Sequence, residues 1–187
     1  FPKFKQASTD LRQVTESLLK NPQSEDAKRA LIHILKENSN GQFTDEQIHA
    51  HTLTFLLAGH ETTALLLAWC WDMLAHHPQV LASLQDEVDV VLGDRFPTAE
   101  DIQNLPYTRM VVKETLRMRP PAWAIGREAV QDCEIGGQHI PAGSTVLVSQ
   151  WVTHHDARFY DDPHQFRPGR WYELDQASFP RYAFFPF

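Results

Sequence analysis

Between Thr44 and His77 nothing in the sequence stops a helix, and this constrains the chain more than any other feature. Thr44 with Gln47 three residues on forms a capping box, and Pro78 follows His76-His77. The spacing predicts one helix of about 32 residues within about 44–77, roughly 48 Å long at 1.5 Å per residue. Most of its middle is apolar on every side, which places such a helix across the centre of a domain. Its longest uninterrupted apolar run, Ala64 to Trp71, has eight residues, against the ~18–20 of a membrane span. No transmembrane helix is expected from that run.

Composition narrows the class. The chain has 187 residues, 42% apolar and 22% charged, with a net charge of 17 − 24 = −7. That is too apolar for a disordered tail and too acidic for a nucleic-acid binder, which needs a basic stripe to displace counterions. Two cysteines, Cys70 and Cys133, make no disulfide framework, so a reducing compartment is expected. No signal peptide follows Phe1, and the aromatic end Phe184-Phe185-Pro186-Phe187 reads as a cut through something packed.

The organisation changes at Pro120-Pro121. Residues 1–120 read as helical, with helices over Asp10–Leu19, Ser24–Lys36, about 44–77, from Pro78 to Gly93, and about 107–118; Thr98 with Asp101 caps a short helical turn. Residues 121–187 read as strands and loops. Gly136-Gly137 joins Cys133–Ile135 to Gln138–Ile140 as a hairpin, Ser144–Val148 is a third strand, and irregular loop is expected from Thr153 onward. The class is mainly α with a small β region (α+β).

Two places break the apolar pattern. Ala58-Gly59-His60-Glu61-Thr62-Thr63 interrupts the long helix, and Thr62 shares a face with Phe55, Ala58, Leu65 and Trp69. Read alone, this is a glycine kink with solvated polar residues. A Thr hydroxyl bonded back to the i−4 carbonyl beside a Gly also opens a small polar groove, next to the Glu61 carboxylate, that can hold water and pass protons. A zinc site of the His-Glu-x-x-His type is rejected because position 64 is Ala. The remaining histidines show no ligand spacing, and most are expected at the surface or as caps. In the 107–118 helix, Glu114 takes a core position within reach of Arg117, and a buried carboxylate needs full hydrogen bonding. Arg170 is a candidate second guanidinium.

With Phe166-Arg-Pro168-Gly-Arg170-Trp171 and the Phe184–Phe187 end, these motifs fall in an order that resembles the cytochrome P-450 family of haem-thiolate monooxygenases. The resemblance implies that family's fold, incomplete in this chain, with 1–187 one partial domain. It implies haem b as cofactor. Thr62 would steady dioxygen and relay protons fed by Glu61, with Ala58 and Gly59 against the haem. Arg127 would pair with a haem propionate. Phe55, Trp123, Ala124 and Ile125 would line the substrate pocket, and Glu114, Arg117 and Arg170 would form a structural triad.

Phe187 would begin the haem-binding loop, whose Cys ligand is expected just after it. No metal ligand lies in this chain: Cys70 and Cys133 fall outside the family pattern. The implied reaction inserts one oxygen atom into a lipophilic substrate, with NAD(P)H electrons arriving through a ferredoxin or flavoprotein reductase. A cytoplasmic location is expected, with an upstream membrane anchor left open. A peroxygenase or isomerase on the same haem, or a non-catalytic helical interaction module, stays open on sequence alone.

Overall fold

The computed structural model describes residues 2–20, 43–174 and 179–186. The Ser24–Lys36 helix and Phe187 lie outside the described residues. In chain order come α1 (Pro2–Lys20), α2 (Asp45–His76), α3 (Pro78–Leu92), a 3-10 helix (Ala99–Asn104) and α4 (Pro106–Met118). Strands β1 (Ile125–Glu128), β2 (Cys133–Ile135), β3 (Gln138–Ile140) and β4 (Thr145–Val148) follow, then the short helices α5 (Gln150–His154) and α6 (Arg170–Glu173). The result is helix-rich with a small strand region. Two units, Phe1–Glu61 and Thr62–Phe187, divide the chain inside α2 and are taken separately.

In the first unit α1 extends beyond the expected Asp10–Leu19. The start of α2 is set by a reciprocal cap. The Thr44 N–H donates to Gln47 Oε1 at 2.8 Å and the Gln47 N–H to Thr44 Oγ1 at 3.3 Å, so two otherwise orphaned donors are satisfied. Ile48 and Thr52 are buried, and the Thr52 hydroxyl donates to the Ile48 carbonyl at 2.7 Å.

In the second unit α2 closes with His76 Nδ1 2.8 Å from the Asp72 carbonyl and His77 Nδ1 2.7 Å from that of Met73. Each ring nitrogen thus adds a side-chain contact to a carbonyl of the last turn. Pro78 opens α3, where its missing N–H costs nothing, and Gly93 ends it at φ +56°. The core joins Met73 and Leu74 of α2, Val80 of α3, Val111 and Met118 of α4, and Phe166 from the later loop. Cys70, Leu81, Leu84 and Tyr107 pack on its rim.

The start of α4 is held from α3 by a contact that no local pattern announces. The Glu87 carboxylate accepts the Tyr107 N–H at 2.7 Å, the Thr108 N–H at 2.8 Å and the Thr108 hydroxyl at 2.8 Å. A negative group at a helix N-terminus satisfies free N–H donors and complements the helix dipole.

The hairpin β2–β3 forms in the register Cys133↔Ile140, with Gly136 at φ +57° and Gly137 at φ +78°. Both central residues need positive φ in such a two-residue turn, which is why Gly-Gly marks it. β4 pairs antiparallel with β1, placing Ile125 opposite Val148 and Arg127 opposite Val146. The region from Thr153 onward, expected as irregular loop, contains the end of α5 and all of α6. Helices of five and four residues are too short to show a hydrophobic period.

By length and averaged composition alone, α2 is the one described helix long and apolar enough to cross a membrane. The expectation from its eight-residue uninterrupted run differed, because a run ends at any polar residue whereas an average absorbs His60-Glu61-Thr62. Its apolar side chains stand exposed in both units: Phe55 and Leu57 in the first, Leu65, Leu67, Trp69 and Trp71 in the second.

Candidate functional site

Among the described residues a dense polar construction is built on Glu114. The residue is fully buried on α4, as is Arg117 one turn on, and Arg170 is only 2% exposed at the start of α6. Arg117 grips the carboxylate with two donors, Nε to Oε2 at 3.0 Å and Nη2 to Oε1 at 2.8 Å. Arg170 Nε donates to Oε1 at 2.9 Å. The structure therefore brings Glu114, Arg117 and Arg170 together. Two more donors were not foreseen: the Arg167 backbone N–H to Oε1 at 3.0 Å and the Trp171 indole N–H to Oε2 at 2.9 Å. Five donors on one carboxylate meet the demand that burying such a group creates.

The remaining guanidinium nitrogens turn outward to the loop. Arg117 Nη1 donates to the carbonyls of His154 and Pro163, both at 2.7 Å. Arg170 Nη1 donates to that of Asp161 at 2.6 Å, and Nη2 to that of Asp162 at 3.1 Å. Both arginines share the Gln165 carbonyl at 3.2 Å. A loop with few backbone bonds of its own is thus tied to one buried anion, which also explains how residues 154–170 hold shape without long elements.

The segment before Phe187 docks on this loop. The Tyr160 hydroxyl, fully buried, donates to the Ala183 carbonyl at 2.8 Å, and its pKa is pushed up by burial. The Phe185 N–H donates to His154 Nε2 at 3.0 Å. Phe184 lies 4.6 Å from Trp171 and 5.3 Å from His154, ring centre to ring centre. The expected surface or capping role fails at His154: its side chain is fully buried and burial lowers its pKa to about 4. Nothing in the pair His154-His155 distinguishes the buried ring from its half-buried neighbour.

Among the other expected site residues, the first unit holds Phe55, 46% exposed, and the exposed Ala58, Gly59 and Glu61, on an α-helix unbroken through Gly59. The second unit holds the half-buried Thr62, the exposed Trp123 and the partly buried Ala124 and Ile125. Trp123 is tied down through its carbonyl, which accepts from the Ser149 hydroxyl at 3.0 Å and the Trp151 N–H at 3.3 Å. Arg127 lies two residues from Ile125 on β1, hence on the same face. It is exposed, its Nη1 donating to the adjacent Gly126 carbonyl at 2.8 Å.

These residues fit a haem in part. Arg127 presents guanidinium donors to solvent in the form that pairs with a carboxylate. At Gly59 an added Cβ would meet nothing within 4 Å, so that stretch of α2 presents an open surface of small residues. An axial thiolate is another matter. Cys70 packs on the core beside Thr115, and burial raises its thiol pKa, the opposite of what a thiolate ligand needs. Cys133 is exposed on the hairpin.

A helix-rich chain with a small strand region and a buried Glu-Arg-Arg cluster bracing a loop defines the class, and the comparisons give its family. The family model described as Cytochrome P-450 matches residues 1–187. Cyclooctat-9-en-7-ol 5-monooxygenase of Streptomyces melanosporofaciens is 33% identical over 99% of this chain and 41% of its own length. Pentalenene oxygenase of Streptomyces avermitilis is 33% identical over 93% of this chain and 38% of its own. A solved zebra fish cytochrome P-450, described with progesterone, superposes with a TM-score of 0.77 at 31% identity, over 98% of this chain and 44% of its own.

The chain belongs to the cytochrome P-450 family and has that family's fold. It spans less than half the length of these relatives. Members of the family are haem-thiolate proteins that use haem b.

Proposed function

We propose that the protein carrying these residues is a haem-dependent monooxygenase. It inserts one atom of dioxygen into a lipophilic organic substrate and reduces the other to water, consuming two protons and two electrons. The electrons come from NAD(P)H through a ferredoxin or flavoprotein reductase, and residues 1–187 are one part of a single catalytic domain. The observation that carries this reading is the five-donor Glu114 cluster bracing the loop and the Phe184–Pro186 approach, in a chain of this family. The names of relatives acting on cyclooctat-9-en-7-ol and pentalenene support a lipophilic substrate. A cytoplasmic location belongs to the same proposal, with α2 an internal helix whose polar stretch His60–Thr63 serves the site.

Haem with a thiolate ligand, from a Cys just after Phe187, would supply the electron push that favours O–O cleavage. The chain's own residues do the rest. Arg127 would hold a propionate carboxylate through charge-assisted bonds. Ala58 and Gly59 would leave room for the macrocycle, and Phe187 would belong to the haem-binding loop. Thr62 holds a proton at its hydroxyl, and Glu61, exposed to solvent, replenishes it. Phe55, Trp123, Ala124 and Ile125 present the apolar surface that selects substrate. Glu114, Arg117 and Arg170 hold shape.

Carbon monoxide added to the reduced full-length protein should give a thiolate-type Soret band, and a protein that binds no haem would refute the reading. Thr62→Ala should release more peroxide per NAD(P)H consumed. Unchanged coupling would remove Thr62 from the proton relay.

A further inference from the structure

We infer that His154 is a positioning residue whose imidazole couples the Glu114 cluster to the Phe184–Pro186 segment. The coupling stands on geometry alone, and only the meaning given to that segment, as the approach to the haem loop, rests on the function proposed above. His154 is held at two points. Its carbonyl accepts from Arg117 Nη1 at 2.7 Å, and its ring Nε2 accepts the Phe185 N–H at 3.0 Å. One fully buried residue therefore spans from a triad arginine to the segment's backbone.

The ring's protonation follows from this bond. An Nε2 that accepts a hydrogen bond leaves the proton of the neutral imidazole on Nδ1. Among the described residues no group meets hydrogen-bond geometry at the buried Nδ1, a cost that a phenyl ring of similar shape would avoid. What the imidazole adds is the acceptor at Nε2, in a place where the rings of Phe184 and Phe185, 5.3 and 5.6 Å away, supply none.

The second anchor of the segment, Tyr160 Oη to the Ala183 carbonyl, also leads back to Arg117, whose guanidinium lies 5.1 Å from the Tyr160 ring. The two anchors hold opposite polarities, a carbonyl at 183 and an N–H at 185, and so set the segment's rotation as well as its distance. Only the His154 anchor is sensitive to protons. An imidazolium would turn an N–H toward the Phe185 N–H. Burial disfavours that form most; of the groups acting on the ring, the charges of Arg117 from α4 and His155 from α5 also disfavour it, while the Arg117 backbone favours it. The Phe184–Pro186 segment sets the rings of Phe184 and Phe185 against it.

Three variants of the haem-loaded full-length protein test the coupling. In His154→Gln the amide Oε1 reaches the place of Nε2, in His154→Asn it stops at the place of Nδ1, and His154→Phe has no acceptor. Hydrogen exchange at the Phe185 amide should rise about tenfold in the Phe and Asn variants, the loss of one ordinary hydrogen bond. It should stay within about threefold of wild type in the Gln variant. The thiolate-type Soret band of the reduced carbon monoxide complex should weaken in the same order.

Equal exchange in the Gln and Asn variants overturns the inference, and that pair still decides if the Phe variant fails to fold. Faster exchange beside an unchanged Soret band overturns the positioning role. A wild-type protein with no Soret band would instead count against the haem reading, while the exchange data would still judge the coupling.

Discussion

Replacing Glu114 by Gln keeps the size of the side chain and removes one acceptor oxygen and the charge. The carboxylate accepts three donors on Oε1 (Arg117 Nη2, Arg170 Nε and the Arg167 N–H) and two on Oε2 (Arg117 Nε and Trp171 Nε1). Whichever way the amide faces, its NH2 group meets at least two of these donors head-on. With the NH2 at the Oε2 position Arg117 and Trp171 lose their acceptor; with it at Oε1, both arginines and the loop backbone do.

Both guanidiniums are almost completely buried, so neither recovers the loss from water. Removing one partner of a buried ion pair costs about 3–5 kcal/mol. Against a total stability of about 5–15 kcal/mol, the substitution should remove a large share. Urea unfolding of the haem-loaded protein, followed through tryptophan fluorescence, reads the change as a shift in midpoint at unchanged slope. Glu114→Asp, which keeps the charge on a side chain one methylene shorter, should lie between wild type and Gln. A loss under about 1 kcal/mol in Glu114→Gln, the size of an exposed pair, would refute the view that this carboxylate holds the loop.

Two further outcomes follow from separate contacts. Glu87→Ala removes the acceptor for three donors at the start of α4 and should cost about 1–2 kcal/mol by the same urea assay, as loss of a helix cap does. The His154 pKa, lowered by burial from 6.5 to about 4, sets an acid dependence. Between those values the unfolded chain binds a proton that the folded one refuses, so stability falls as pH falls through 6.5 and the loss levels off below about 4. The change between pH 8 and pH 5 should be about 2 kcal/mol. His154→Gln should remove that part of the slope, and equal slopes in the two proteins would contradict the assignment.

Much of the architecture was legible wherever the controlling interaction is local. The reciprocal cap of Thr44 and Gln47, the stop at His77-Pro78 and the Gly136-Gly137 hairpin each depend on residues a few positions apart. Periodicity and turn chemistry act over that range. The candidate site was legible in outline for a different reason. A carboxylate in the apolar stripe of α4 is an anomaly in one dimension, and Arg117 lies within one helical turn of it.

What the tertiary structure alone decided are the partners that meet across long stretches of chain. Trp171 and the Arg167 N–H reach Glu114 across 57 and 53 residues, and Glu87 caps α4 from 20 residues away. β1 is a strand because β4 lies beside it. His154 became a buried acceptor and His155 did not because the Phe184–Phe185 rings close over only one of them. Local sequence determines which backbone conformations are cheap and which side chains need a partner. The packing of distant segments determines who that partner is, because desolvating a polar group makes an unpaired one too costly to keep.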